Sequence, residues 1–460
     1  MKPTKHRKRR ENDFGNDRIA PLVVRIAIPS MLAQFVSVLY SIVDRIFVGN
    51  IPEIGDLALA GVGVCGPIVT MVGAFSFLVG VGGAPIMGTR NGEGKPKEAA
   101  QVVANCFLML CVVSVAVTAL ALALKRPMLL LFGASEVTYP YANTYFTIYI
   151  CGTIFALLST GMNQFIIAQG YARAGMVSVM LGAVLNIILD PVLIFGLDMG
   201  VTGAALATVI SQCASMVFVL TFLFKRSRIR ITFGGYSRKL MVQVMSLGVT
   251  PFLIIAVDSV MIIAMNALLK HYGGVQADTL ITCNTIVQSF MLVITLPLGG
   301  ISMSTQGILS HNYGARRSDR ILQAERVIIL LCAAYTGLFF LLARTAAAPA
   351  FVSLFTYDAA LNAQACQIIR ICTMGIILLG IQYAIIDCFV GLGKPKFALL
   401  LSAFRRLVYF VAVFLLPYLF GAYSLFYAEP LCDILGPAVS TAVFLLSIKK
   451  ILKKRELEPV

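Results

Sequence analysis

Six acidic residues stand inside long apolar runs of the chain: Asp44, Asp190, Asp258, Asp387, Glu429 and Asp433. Arg45, Arg370, Arg405 and Arg406 share that setting. Placing one such charge in hydrocarbon costs roughly 2.5–3.5 kcal/mol or more. Residues of this kind serve as proton or cation sites, as counter-charges for a substrate, or as partners of one another. Asp190 is the most isolated, in Leu185-Asn186-Ile187-Ile188-Leu189-Asp190-Pro191, with no cationic side chain within a helical turn. Asn186 precedes it by four residues, so amide and carboxyl share one face of a helix. The pair is suited to holding a cation, or to hydrogen-bonding neighbouring helices.

The rest of the sequence says what must position these groups. Of 460 residues, 59% are hydrophobic and 13% charged, with a mean hydropathy of +0.88. Too few polar side chains exist to cover a water-exposed surface, and the apolar runs are continuous and of spanning length, which favours helices over a barrel. The fold class is an all-α membrane protein. The net charge of +16 sits in short loops and at the two ends, without the interleaved aromatics of a nucleic-acid arm. No nucleic-acid partner is expected, and the Lys2–Arg10 tail reads as a topological anchor rather than a cleaved signal. The eleven cysteines form no CxxC pair. Together with three histidines they suggest packing rather than a metal or disulfide framework. No cofactor is expected, and the expected partners are the bilayer and small organic molecules.

Spanning helices are predicted near 21–49, 57–88, 101–124, 139–168, 175–197, 200–224, 245–269, 278–310, 322–344, 364–391, 396–419 and 422–448. With a cytoplasmic N-terminus, nearly all Lys and Arg fall in inside segments, and only Lys125, Arg126, Lys270 and Arg344 outside. That bias places both termini in the cytoplasm of a multi-pass cell (inner) membrane protein. The expected organisation is a basic tail (1–20), a six-helix lobe (21–224), a cytoplasmic linker (225–244), a second six-helix lobe (245–448) and a short tail (449–460). The halves resemble one unit written twice. Asn91-Gly-Glu-Gly94 parallels Asn312-Tyr-Gly314, Leu131-Phe132-Gly133 parallels Leu354-Phe355-Thr356, Gln169-Gly170 parallels Val390-Gly391, and Gly200 parallels Gly421. Six crossings per copy relate the lobes by a pseudo-two-fold axis along the membrane normal. The chain is expected to work as a monomer.

Gly391-Leu-Gly393-Lys394-Pro395 lacks the Ser or Thr and the preceding strand of a phosphate loop, so it is a helix-connecting turn. Transport driven by a gradient remains. Counting residues from the predicted helix ends places Asp44, Asp190, Thr208 and Tyr145 at one depth in the first lobe. With Asn186 they form an oxygen-rich cluster able to take sodium or a proton. The second lobe does not repeat it. There Asp258 and Glu429 are substrate counter-charges or partners of Arg405 and Arg406, and Asp387 reads as a solvated cap. Gly80, Gly82, Gly83, Gly299 and Gly300 are expected to interrupt helices 2 and 8, with bends at Pro29, Pro191, Pro251 and Pro430.

Val43-Asp44-Arg-Ile-Phe47-Val48-Gly49, Ala58-Leu-Ala60-Gly61, and above all Leu185-Asn-x-x-Leu-Asp-Pro followed by Gly200-x-x-Gly-Ala-Ala-x-Ala-Thr208 resemble the multidrug and toxic compound extrusion (MATE) family, in its bacterial and archaeal branch. The resemblance spans about residues 19–448. It implies a cation-coupled antiporter that exchanges a proton or sodium ion for amphipathic, mostly cationic organic compounds. It implies coupling residues Asp44, Asn186, Asp190 and Thr208 with Tyr145 beside them. The alternative is a lipid-linked saccharide flippase, which requires Arg405 and Arg406 to face a cationic cleft. A membrane enzyme lacks an intramembrane histidine or Ser/His/Asp set, and a channel lacks a filter motif.

Overall fold

The computed structural model describes residues 12–132, 134–355 and 358–457. The Lys2–Arg10 tail, and Gly133 and Thr356 of the repeat comparison, lie outside the described residues. The first half comprises α1 (Ile19–Gly49), α2 (Gly55–Gly92), α3 (Pro96–Ala123), α4 (Lys125–Leu131), α5 (Tyr139–Cys151), α6 (Thr153–Ala168), α7 (Ala172–Pro191) and α8 (Gly200–Lys225). The second comprises α9 (Arg238–Tyr272), α10 (Ala277–Gly314), α11 (Ser318–Leu342), α12 (Ala347–Val352), α13 (Ala359–Cys372), α14 (Ile376–Gly391), α15 (Pro395–Phe420) and α16 (Ala428–Leu457). Ten helices are long and apolar enough to span alone. Two more spans are broken pairs, α5 with α6 (bent 54°) and α13 with α14 (bent 47°). Twelve crossings result, in two lobes.

Local chemistry sets the ends. The same Gly-Lys-Pro turn starts α3 and α15, with Gly94 and Gly393 at positive φ (75° and 67°) and proline in the first helical turn. Proline costs nothing there because its missing N–H has no partner in that turn. Asp358 caps α13 by accepting from the Ala360 amide at 2.8 Å.

Four expectations are corrected. Spans 4 and 10 are not continuous, because each breaks at a glycine against which another helix packs. A Cβ at Gly152 would lie 2.6 Å from Val209 of α8, and one at Gly375 would lie 2.6 Å from Asp433 of α16. The glycines of α2 and α10 do not interrupt their helices. They let backbones approach: a Cβ at Gly80 would meet the Gly161 carbonyl oxygen at 2.6 Å, and one at Gly300 the Ser30 carbonyl oxygen at 2.9 Å. Helix α9 starts at Arg238, so the linker is shorter than 225–244. Helix α16 carries Lys449–Arg455 as its own continuation rather than as a tail.

Both described termini lie at one end of the bundle, which carries most of the basic residues and is called the basic end. There the lobes share an apolar core built from Leu22, Ile26, Ile301, Ile308 and Phe389. In the far half each lobe keeps its own, around Phe146 and Ile150 in the first and Ile369 and Phe426 in the second. The lobes are joined at the basic end and part toward the far end. A strap formed by Asn12–Arg18 crosses the join. Asn12 donates to the Gly170 carbonyl at 2.6 Å, while Arg320 donates to the carbonyls of Phe14 (2.9 Å) and Asp17 (2.7 Å). The Asn16 amide donates to Asp13 and holds its carboxyl below the usual range. Thr89 of α2 donates to the Ser310 carbonyl of α10 at 3.4 Å, and Arg455 of α16 pairs with Glu93 just after α2.

Candidate functional site

The five residues singled out in the first lobe meet. Asn186 Nδ2 on α7 donates to Asp190 Oδ1 at 3.2 Å and to Thr208 Oγ1 on α8 at 3.5 Å. Tyr145 on α5 lies beside Thr208, and the carboxyl of Asp44 on α1 faces that of Asp190. Asp190 is fully buried and Asn186 nearly so. Asp44 Oδ1 and Asp190 Oδ2 are buried without a hydrogen-bond partner, an arrangement that a bound proton or cation would satisfy, and Arg45 is exposed.

Local structure explains the convergence. Pro191 ends α7 one residue beyond Asp190, and Val192–Gly196 follow as a π turn. That turn closes against Gly203, where an added Cβ would lie 2.7 Å from the Leu193 backbone. Thr208 is thereby brought opposite Asn186. Sequence reasoning missed three neighbours. Tyr40 faces Asp44, Asp190 and Tyr149; Tyr149 stacks on Tyr145 at 6.2 Å; and Gln212 donates to the Tyr149 hydroxyl at 3.5 Å. Each lies four residues from a recognised site residue, as Asn186 does from Asp190, and that spacing was the available signal.

In the second lobe Arg405 and Arg406 are charge-paired. Arg405 Nη2 lies 2.7 Å from Asp433 Oδ1 and 3.7 Å from Glu429 Oε2, and Arg406 Nη2 lies 2.7 Å from Asp258 Oδ1. The expected alternative of pairing is the one observed for Asp258 and Glu429. Glu429, Cys432 and Asp433 are close enough to ligate a metal, but Arg405 already occupies Asp433. Asp387 is not a solvated cap: it accepts from Gln306 of α10 at 2.9 Å, because α14 packs on α10 there. Near it lies Glu325, 2% exposed, which is absent from the acids singled out in the sequence.

A cavity of about 240 Å³ adjoins the first-lobe cluster, between α1, α6, α7, α8 and α10. Tyr40, Asn186 and Thr208 form one wall, and Gln34, Phe77 and Met303 contribute to the rest. The lining is mixed, with polar side chains along α6, α7 and α8 and apolar ones at Phe77 and Met303.

The chain is 23% identical over 451 residues to the multidrug export protein MepA of Staphylococcus aureus (strain MRSA252), covering 94% of this chain and 95% of that protein. It is 24% identical to MepA of Staphylococcus haemolyticus (strain JCSC1435), covering 92% and 93%. A multidrug resistance MATE family transporter of the MOP superfamily, solved in an outward-facing conformation, superposes with a TM-score of 0.88 at 21% identity, covering 96% and 98%. The MatE family profile matches residues 29–192 and 252–436. Spanning both lobes as that match does, it shows that the chain belongs to the MatE family and is a membrane transporter rather than an enzyme.

Proposed function

We propose that the protein is a multidrug exporter that couples the exit of amphipathic, mostly cationic organic compounds to proton entry, with Asp44 and Asp190 as the coupling pair. The observation that carries this is the pair of buried, unpartnered carboxyl oxygens, Asp44 Oδ1 and Asp190 Oδ2, linked through Asn186 to Thr208, with no ion pair to either acid among the described residues. Sodium has a usable donor set in the same oxygens; the proton is the reading adopted because one proton shared by two facing carboxyls relieves their repulsion without a full coordination shell. Gaining or losing that proton changes the charge on α1, which packs on α7 within its lobe and on α10 across the join. Charge at the pair thus bears on the contact between lobes. The basic end is the cytoplasmic one by the excess of Lys and Arg there, so the separation of the lobes at the far end is an outward-facing state. One chain holds the whole cluster, and it acts as a monomer with no cofactor beyond the cation. The flippase reading is not favoured, since Arg405 and Arg406 are neutralised by acids.

The test is efflux of a fluorescent organic cation from vesicles under imposed proton or sodium gradients. Wild type should respond to the proton gradient, and Asp190→Asn should lose that response. A response to sodium alone reassigns the ion. Normal gradient-driven efflux by the mutant removes the coupling assignment.

A further inference from the structure

The cavity beside the coupling pair is long as well as polar. Along α7 it runs from Asn186 down to Gly175, in the first turn of that helix at the basic end. Eleven residues at about 1.5 Å each make this roughly 16 Å. The side chains facing it include Asn163, Ser178, Ser211, Gln212 and Ser215. Some bond locally: Ser178 donates to the Gly175 carbonyl at 2.7 Å, and Ser215 to the Ser178 carbonyl at 2.9 Å. Others have buried polar atoms with no protein partner. These are Ser30 Oγ, Asn163 Oδ1, Asn186 Oδ1, Ser211 Oγ and Gln212 Oε1. All five belong to residues lining this one cavity, and they are spread along its length.

An unpaired buried polar atom costs about 1–3 kcal/mol. Five around one cavity is a pattern that water satisfies, since a buried water bonds two to four polar groups and needs only about 10–15 Å³. We infer that the cavity, enclosed by first-lobe helices and by α10 of the second lobe, holds a water column that carries the coupling proton between the Asp44–Asp190 pair and the cytoplasmic end. Each water and hydroxyl in the file accepts a proton on one side and releases one on the other, so net charge moves without any side chain in the column ionising. Asn186 and Thr208 are its upper contacts with the carboxyls. Its lower end reaches Ile167 and Gly175, against the turn at Gly170 on which Phe14 of the strap is packed. The proton thus leaves along α7 toward the join with α10, while the drug uses the space where the lobes part at the far end. The route rests on the coupling reading above, and its wetness does not.

Two readouts separate them. Met176 and Met303 line the column, whereas Met162 and Met87 are buried in packed apolar surroundings. Methionine is readily oxidised where water-borne radicals reach it. Radiolytic hydroxyl-radical labelling of the wild-type protein in lipid nanodiscs should modify Met176 and Met303 about tenfold faster than Met162 and Met87. Equal rates overturn the column, whatever the coupling assays show. In the vesicle assay Ser211→Leu, which fills the column, should slow proton-driven efflux about tenfold, while Ser211→Ala, which removes the hydroxyl but leaves room for water, should stay within about twofold. A role in structure alone predicts that Ser211→Leu lowers the melting point in step with efflux, whereas a blocked route slows efflux with the melting point kept; full activity of the leucine variant overturns the route. Wet methionines together with normal coupling in Asp190→Asn would instead remove the coupling reading, and with it the column's cargo.

Discussion

Each lobe solves the problem of charge in hydrocarbon differently, and the difference lies in single residues. In the second lobe Arg405 is nearly buried, with Asp433 and Glu429 around it. Breaking a buried pair by removing one partner costs about 3–5 kcal/mol, because the remaining charge is left alone. Arg405→Ala is therefore expected to lower the thermal melting point of the purified protein markedly, and Arg405→Met with Asp433→Leu to recover most of it. In the first lobe Asp190 has an amide, a second carboxyl and no buried cation. Asp190→Asn removes a charge rather than a partner, so the same melting assay should show Asp190→Asn at or above wild type. A large loss of stability there would mean that the aspartate is structural. On the proposed reading the acids around Arg405 stabilise and the first-lobe pair couples, and the melting point tells the two roles apart.

At the scale of elements, most of the helices could be read from the sequence, because spanning runs and basic loops are strong signals. The cluster could be read too, because depth along a helix is nearly linear in residue number. The breaks could not. Gly152 and Gly375 stand in runs as apolar as any other, and what bends the chain is the approach of Val209 and Asp433 from distant helices. Glu325 was missed for a related reason: it lies near a helix end in sequence, yet the packing of α11 on α14 buries it. The two breaks stand at corresponding places of the repeat, the bent fourth span of each lobe receiving its sixth. They nevertheless serve different sites, since Val209 adjoins Thr208 whereas Asp433 holds Arg405. Overpacking at such a contact costs about 1–3 kcal/mol. Gly152→Val should displace Thr208 and weaken the response of efflux to the proton gradient more than it weakens folding. Gly375→Val should chiefly lower the melting point. Efflux and melting measured on both variants check the contrast, and identical profiles would mean that the breaks are only hinges in packing.

For the whole molecule, what matters is which end holds the lobes together. The shared core at the basic end, to which Phe14 of the strap belongs, is supplemented by polar, reversible contacts: the hydrogen bonds of the strap, Thr89 with Ser310, and Arg455 with Glu93. An alternating-access transporter must open this end in turn, so these contacts have to be strong enough to close it and weak enough to part. Arg320 bears most on the balance. Its guanidinium donates to two strap carbonyls and to the Asn312 side chain, tying the N-terminal segment to the second lobe. A hydrogen bond from a charged group contributes about 1.5–3 kcal/mol, and a change of about 1.4 kcal/mol shifts a two-state ratio tenfold. Arg320→Ala should therefore raise amide hydrogen exchange in residues 12–18 and 308–314 by about tenfold, without changing exchange in the far-end core around Phe146. Exchange that rises throughout the protein would mark general destabilisation. Exchange unchanged at the strap would show that the apolar core alone holds the basic end shut, and the polar contacts would then follow the closure rather than set it.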